Sequence, residues 1–301
     1  MISEETGMTL EKTGRMLLGK RLGLLIWNWV AGYKNLGLKK LIKPTICFSN
    51  LFAVKALLSK EISRFTKVWV QTILAPVISS LLFLIIFSYL LNNRLEPLPG
   101  IQYSAFLIPG LIMMTLQQNA FSNSSSSLTQ SKITGNLIFL MLSPMTPVQW
   151  FAGYIGGAIA RGFACGIFLW LFCSLFNFVP VASVLWVFTF SLLACLSMGS
   201  LGIIAGIYAE KWDQVSAFQN FLINPLTLLA GVFYSTQSLP PLWQTLSRFN
   251  PFFYLIDGFR YGFFLASDVS PYTSLVVCSI FTLFVCGLSI ILISIRWRLK
   301  S

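Results

Sequence analysis

"VWVQTILAPVISSLLFLIIFSYLL", residues 68–91, contains one glutamine and no charged side chain over 24 residues. As an α-helix rising about 1.5 Å per residue it reaches about 36 Å, enough to cross a hydrocarbon core of about 30 Å. The stretch reads as a membrane-spanning helix. The chain around it is of the same kind: 56% of the 301 residues are hydrophobic and 10% are charged, against roughly a quarter charged in soluble domains. The expected fold is an all-α polytopic membrane domain with no separate soluble domain of ordinary size.

Composition also excludes chemistry. Histidine is absent, which removes a histidine base, nucleophile or metal ligand. The six cysteines (Cys47, Cys165, Cys173, Cys195, Cys278 and Cys286) have no CxxC spacing and mostly fall in apolar runs, where cysteine acts as a small hydrophobe. Neither a disulfide framework nor a metal site is expected. The only Gly-Lys pair, in "LLGKRLG", lacks the rest of a phosphate-binding loop, so the chain is expected to bind no cofactor. Four of the nine acids precede residue 68, and an embedded enzyme would need converging carboxylates or nucleophiles. The net charge of +12 is better explained by basic residues gathering on the cytoplasmic side than by nucleic acid, which is not expected as a partner.

Six spans are predicted, at about 68–91, 101–121, 149–178, 181–209, 218–234 and 274–295. Spans 3 and 4 form a hairpin across "NFVP", and span 5 is interrupted at Asn224 and Pro225. With both termini inside, 17 of the 21 basic residues are cytoplasmic, three are external and Arg161 lies within span 3. Residues 1–48 form a basic cytoplasmic extension whose "LGLLIWNWV" is too short to span. Residues 49–67 are expected to form an amphipathic interfacial helix, with Leu51, Val54, Leu58, Ile62 and Phe65 apolar and Lys60, Arg64 and Lys67 largely opposite. The run Ser122–Ser127 reads first as a flexible junction, and second as a helical continuation of span 2 with hydroxyls bonded back to their own carbonyls.

Between spans 5 and 6, the stretch Pro251–Phe264 would be about 21 Å long as a helix, too short to cross. Pro240 with Pro241, and Asn250 with Pro251, can each start a helix, which predicts an external re-entrant helical hairpin. Asp257 and Arg260 are three apart on its second helix and are expected to pair, and Gly258 and Gly262 permit a close contact. The amides Gln117, Gln118 and Asn119 of span 2 and Asn224 of span 5, beside Pro225, are costly against lipid and are candidates for a translocation path. Arg161 is expected either to reach headgroups or carbonyls by snorkelling, or to serve substrate. The pairs Gly153/Gly157, Gly162/Gly166 and Gly202/Gly206 suit either a dimer seam or intrachain packing.

The stretch "LLAGVFYSTQSLPPLWQTLSRFNPFFYLIDGFRYGF", residues 228–263, with Pro251, Tyr254, Asp257 and Arg260 in its hairpin, resembles the C-terminal signature of the ABC-2 family of ATP-binding-cassette export permeases. Together with the six spans and the amphipathic entry helix, the resemblance covers roughly residues 49–297. It implies a permease that works as two copies with two copies of a separate ATP-binding-cassette ATPase subunit, which alone would bind ATP and Mg, in a bacterial inner membrane in contact with lipid. It also implies that "KITGNLIFLMLSPMTPVQW", residues 132–150, couples to the ATPase, with Asn136, Leu137, Phe139, Leu140, Leu142 and Pro144 as the contact segment. Substrates across the family include drugs and lipid-linked saccharides, so an amphipathic cargo is expected. The alternative is an ion-coupled secondary transporter without an ATPase, which would normally carry intramembrane acids or histidines.

Overall fold

The computed structural model describes residues 42–91, 100–143 and 145–299, with side chains from 52 to 295. Phe52–Ser301 forms a compact unit of its own. Its order is α1 (Ile42–Lys67), a π-helical turn (Val70–Leu74) leading into α2 (Ala75–Leu91), α3 (Tyr103–Ile133), α4 (Leu137–Leu142), α5 (Pro147–Phe176) and α6 (Val184–Tyr208). A broken helix follows, made of α7 (Trp212–Phe218), a π turn (Gln219–Ile223) and α8 (Asn224–Leu228). After a short 3-10 turn come α9 (Pro241–Phe249), α10 (Pro251–Phe264) and α11 (Pro271–Leu299). Among the described residues, four segments are long and apolar enough to cross a membrane: Val70–Leu91, Pro147–Phe176, Val184–Tyr208 and Pro271–Ile295. The protein is a helical membrane protein.

Both π turns have the same cause. A proline has no N–H to give to the carbonyl four residues back, and a local widening of the helix re-aims the freed group. Ahead of Pro76, the Val70 carbonyl is taken by the Ala75 amide, and the freed Thr72 carbonyl accepts from the Cys165 thiol at 3.3 Å. Ahead of Pro225, the Gln219 carbonyl is taken by the Asn224 amide. The Thr72 hydroxyl donates to the Phe65 and Val68 carbonyls, which ties the end of α1 to the start of the next helix.

α3 is the spine. It runs 31 residues with most of its side chains buried, and it packs against α2, α5, α6 and α10. Its serine segment is helical and inward, so a flexible junction at Ser122–Ser127 is corrected: buried Ser125 donates to Phe121 O and buried Ser131 to Ser127 O. Small, self-satisfied side chains let neighbours come close. A Cβ on Gly202 of α6 would lie 2.5 Å from the Phe121 carbonyl oxygen, and one on Gly206 would meet Leu128 at 3.0 Å. Gly162 faces Cys195, Leu116 and Ala120, while Gly153 and Gly157 face Leu57 and Glu61 of α1. All three glycine pairs therefore pack within the chain. The stretch predicted as the fifth span, 218–234, is broken as its Asn224 and Pro225 suggested: its helix stops at Leu228 and the chain turns at Gly231, whose φ is +75°.

The buried face of α1 also differs from the expected one. Leu57, Glu61 and Phe65 are buried and Arg64 is partly so, whereas Ile62 is exposed. Leu51 has its side chain outside the described residues; of the extension predicted at 1–48, residues 1–41 lie outside them too and 42–48 belong to helix α1.

Replacing Gly202 by Ala should destabilise the fold by about 1–3 kcal/mol through overpacking against backbone. Gly287→Ala, where nothing lies within 4 Å of the new methyl, should leave the melting midpoint unchanged or raise it. Tryptophan-fluorescence melting of both detergent-purified variants measures the contrast.

Candidate functional site

Three polar features and one exposed apolar patch stand out. The first is a seam on α3. The Gln118 amide donates to Asn224 Oδ1 at 3.3 Å, and Asn224 Nδ2 donates to Asn220 Oδ1 at 3.1 Å. Asn119 turns the other way: its Oδ1 accepts from Arg161 Nε and Nη2 at 3.2 and 3.0 Å, and its Nδ2 donates to Thr115 O. The Thr115 hydroxyl shares a hydrogen bond with Ser80 at 2.8 Å. Gln117 is fully buried, and neither of its amide atoms has a hydrogen-bond partner among the described residues. Asn220 and Pro225 are exposed while Gln118 and Asn224 are half-buried, so this part of the seam opens onto the side of the protein.

Two expectations for this seam resolve differently. Arg161 is turned into the protein rather than snorkelling: its guanidinium sits on the Asn119 side chain. Gln118 and Asn224 meet directly, whereas Asn119 faces Arg161 of α5.

The second feature is the short helix α4. Leu137 is buried and Leu140 and Met141 are half-buried against a small core with Trp150, Tyr154 and Ile207. The opposite face is bare, with Ile138, Phe139 and Leu142 at 62%, 72% and 78% exposure. Leu137 and Leu140 thus face the core, and Ile138 joins Phe139 and Leu142 on the exposed face. Asn136 precedes the helix without a side-chain cap, and Pro144 lies outside the described residues. A capping box between Thr146 and Gln149, with Pro147 at the first helical position, starts α5. Upstream, Lys132 Nζ donates to the Ile207 and Ala209 carbonyls at the end of α6, where a cation suits the negative helix terminus. α4 is therefore mounted on a braced platform.

The third feature is the hairpin of α9 and α10. Asn250 caps α10 by accepting from Phe252 N at 3.0 Å and donates to Leu226 O. Asp257 and Arg260 do not bond to each other as expected, because each is spent elsewhere. Asp257 accepts from the Asp268 and Val269 amides at 2.8 and 3.2 Å. Arg260, 2% exposed, donates to Gly231 O at 2.8 Å and stacks 3.8 Å above the Phe106 ring. Burial pushes the Asp257 carboxyl above its ordinary range, against the pull of those amides and of Arg260. Asp268 in turn accepts from Ser235, Thr236 N and Thr236 Oγ1. Gly258 lets the Phe190 ring lie on α10, and Gly262 lets Val187 do so while its carbonyl accepts from Ser183 N. Tyr254 packs edge-on to Phe253, and Pro251 occupies the first helical position.

The fourth feature was not anticipated. Glu61 on α1 is fully buried. It accepts from Ser127, and Lys60 and Arg64 lie 3.4 and 3.5 Å away. Arg64 donates to Asn123 O, Asn123 Oδ1 and Ser126 Oγ. Burial lowers the Arg64 guanidinium from its ordinary value while Glu61 raises it. A signal was available in the sequence, since Glu61 lies four residues from both Leu57 and Phe65, on the face they share.

The comparisons with known proteins agree with this geometry. A family model described as ABC-2 type transporter matches residues 52–264. The chain belongs to the ABC-2 type transporter family. It is similar to the inner membrane transport permease YadH of Escherichia coli K12, at 42% identity over 231 residues, which covers 76% of this chain and 90% of the relative. It is more distantly similar to nodulation protein J of Rhizobium leguminosarum bv. viciae, at 20% identity over 64% of this chain and 76% of that one. A third relative, nodulation protein J of Neorhizobium galegae, is 20% identical over 54% of this chain and 62% of its own length. The chain is a membrane transport permease of this family.

Substituting Met for Arg260 should cost the permease about 2–4 kcal/mol, because it strands the Gly231 carbonyl and removes the stacked cation. Lys at the same position should recover only part of that, lacking the planar fork. Melting midpoints and protease cleavage between 265 and 270 report the effect.

Proposed function

We propose that this chain is the membrane subunit of an ATP-driven exporter, with two copies served by two copies of a separate ATP-binding-cassette ATPase, moving an amphipathic substrate outward across a bacterial inner membrane. ATP and Mg are held by the partner, and the permease itself is not an enzyme. The chain crosses the bilayer six times with both termini in the cytoplasm: four times through its long apolar helices, once through α3 and once through the broken helix. α9 and α10 form the external re-entrant hairpin.

The observation that carries this reading is α4. A two-turn helix clamped by Leu137, Leu140 and Met141 and baring Ile138, Phe139 and Leu142 is a rigid knob with an apolar tip. Such a patch suits a groove on another protein. Its platform joins α3, α5 and α6 through Lys132 and Trp150, so a push on α4 reaches the helices that carry the amide seam. The seam supports the two-copy reading. Exposed Asn220 beside half-buried Asn224 and Gln118, flanked by exposed Phe221 and Leu222, would be costly against hydrocarbon. A second copy covering it encloses a path of amides between two apolar walls. An apolar groove of about 450 Å³ lined by Phe163, Trp170, Phe259 and Phe263 suits the greasy part of an amphipathic cargo.

One observation favours ion coupling instead, the buried Glu61 carboxylate. Its contacts with Lys60, Arg64 and Ser127 match those of a structural ion pair.

Pull-down of the tagged permease in mild detergent should recover a stoichiometric ATPase with substrate-stimulated hydrolysis. Phe139→Asp with Leu142→Asp should abolish recovery while leaving the melting midpoint within about 1 °C, since both side chains are exposed. A wild-type chain that purifies alone and without hydrolysis would sink the exporter reading. Gln118→Ala with Asn224→Ala should preserve ATPase recovery and basal hydrolysis but remove the substrate stimulation. Unchanged stimulation at normal expression would exclude the seam as the path.

A further inference from the structure

Where α1 passes the last turns of α3, a cavity of about 640 Å³ opens. Lys60, Arg64 and Lys67 line it from α1. These three cations lie at i, i+4 and i+7, one stripe of a helix. From the other side it is lined by Gln130, Ser131 and Thr134 and by Asn136, the residue that leads into α4. No acid is among the described lining residues. Among the described residues, the one carboxylate touching these cations is Glu61, buried behind them. Three positive charges against one negative leave two uncompensated in a recess walled by hydroxyls and amides. Arg64 holds the back of the recess, and its Nε is buried with no hydrogen-bond partner. Lys60 and Lys67 are exposed at its mouth. Directly after Lys67, the exposed apolar run of Val68, Trp69 and Val70 begins, so the recess lies where charged surface gives way to apolar surface.

From this we infer that the recess is a binding site for a phosphate group. Charge balance calls for an anion carrying one to two negative charges. The donor set of two ammonium groups, one guanidinium, hydroxyls and side-chain amides suits an oxygen-rich tetrahedral anion. The neighbouring Val68–Val70 run suits an anion on an acyl-chain carrier, such as a membrane phospholipid headgroup, and a soluble phosphate satisfies the same donors. The occupant bridges α1 to the residues just ahead of α4 and so stiffens the joint between the entry helix and the α4 platform. The site does not depend on the export reading, since it follows from the cavity and its charges alone.

The test is a ligand-dependent shift of the melting midpoint of the detergent-purified full chain. Three probes are titrated at constant ionic strength: mixed micelles of phosphatidylglycerol, sodium phosphate against sodium chloride, and micelles of a phosphate-free glucosyl diacylglycerol. Phosphatidylglycerol should raise the midpoint saturably, and the glycolipid should not. Each of Lys60→Gln and Lys67→Gln should weaken the apparent affinity roughly fivefold, and the pair roughly thirtyfold. Lys55→Gln, an exposed lysine of the same helix outside the lining, should leave it unchanged. A saturable response to inorganic phosphate, lost in the same variants, supports the site with a soluble source. The proposal is overturned if neither phosphate source shifts the midpoint, if the double variant responds like the wild type, or if Lys55→Gln weakens binding equally. A response to polyglutamate in place of both phosphates also overturns it, and marks the recess as a seat for an acidic protein segment.

Discussion

The arrangement depends on burying a helix that is too polar to face lipid. α3 carries Gln117, Gln118, Asn119, Asn123 and a run of serines and threonines along its length. Each such group in hydrocarbon costs free energy unless a partner answers it. The neighbours answer five of these groups, with Asn224 for Gln118, Arg161 for Asn119, Ser80 for Thr115, Arg64 for Asn123 and Glu61 for Ser127. The glycines of α5 and α6 supply the closeness, since backbone can reach α3 only where no Cβ intervenes. Polar satisfaction and small-residue packing are here two sides of one requirement, that α3 be surrounded.

That requirement links the hairpin, the amide seam and α4. The end of α3 near Tyr103 meets the hairpin through Phe106 under Arg260, Tyr103 donating to Phe233 O and Gly110 beneath Val232. The middle carries the amide seam, and the far end carries Lys132 and leads into α4. A stiff helix about 46 Å long at about 1.5 Å per residue therefore joins the three regions. Each joint is fixed by a buried or partly buried charge bonded to carbonyls or amides, which resists sliding because any displaced register leaves that charge unanswered.

The two proline-linked π turns are irregular places in this frame. One lies where α1 turns into α2, next to Cys165 and close to Arg161. The other breaks the helix that supplies Asn220 and Asn224 to the seam. Both flank α3, and π-helical turns often mark functional positions in helices.

Much of this was legible in the residues. The apolar run at 68–91, the absence of histidine, the Asn-Pro start of α10 and the glycines at 258 and 262 act locally, through length, composition and steric size, and need no partner to be read. What the sequence could not decide was pairing. Asp257 and Arg260 stand three apart and look like an ion pair, yet the fold brings amides at 268 and 269 to one and a carbonyl and an aromatic ring to the other. The serine run looks flexible in isolation and is helical because α6 presses on it through Gly202 and Gly206. Glu61 counts as one more surface charge until Ser127 and Arg64 arrive from 66 residues away and from the next turn. Residue type sets what each position can tolerate, through size, charge and backbone freedom. Which distant group answers a buried polar atom is decided only when tertiary packing removes the water that would otherwise have done so.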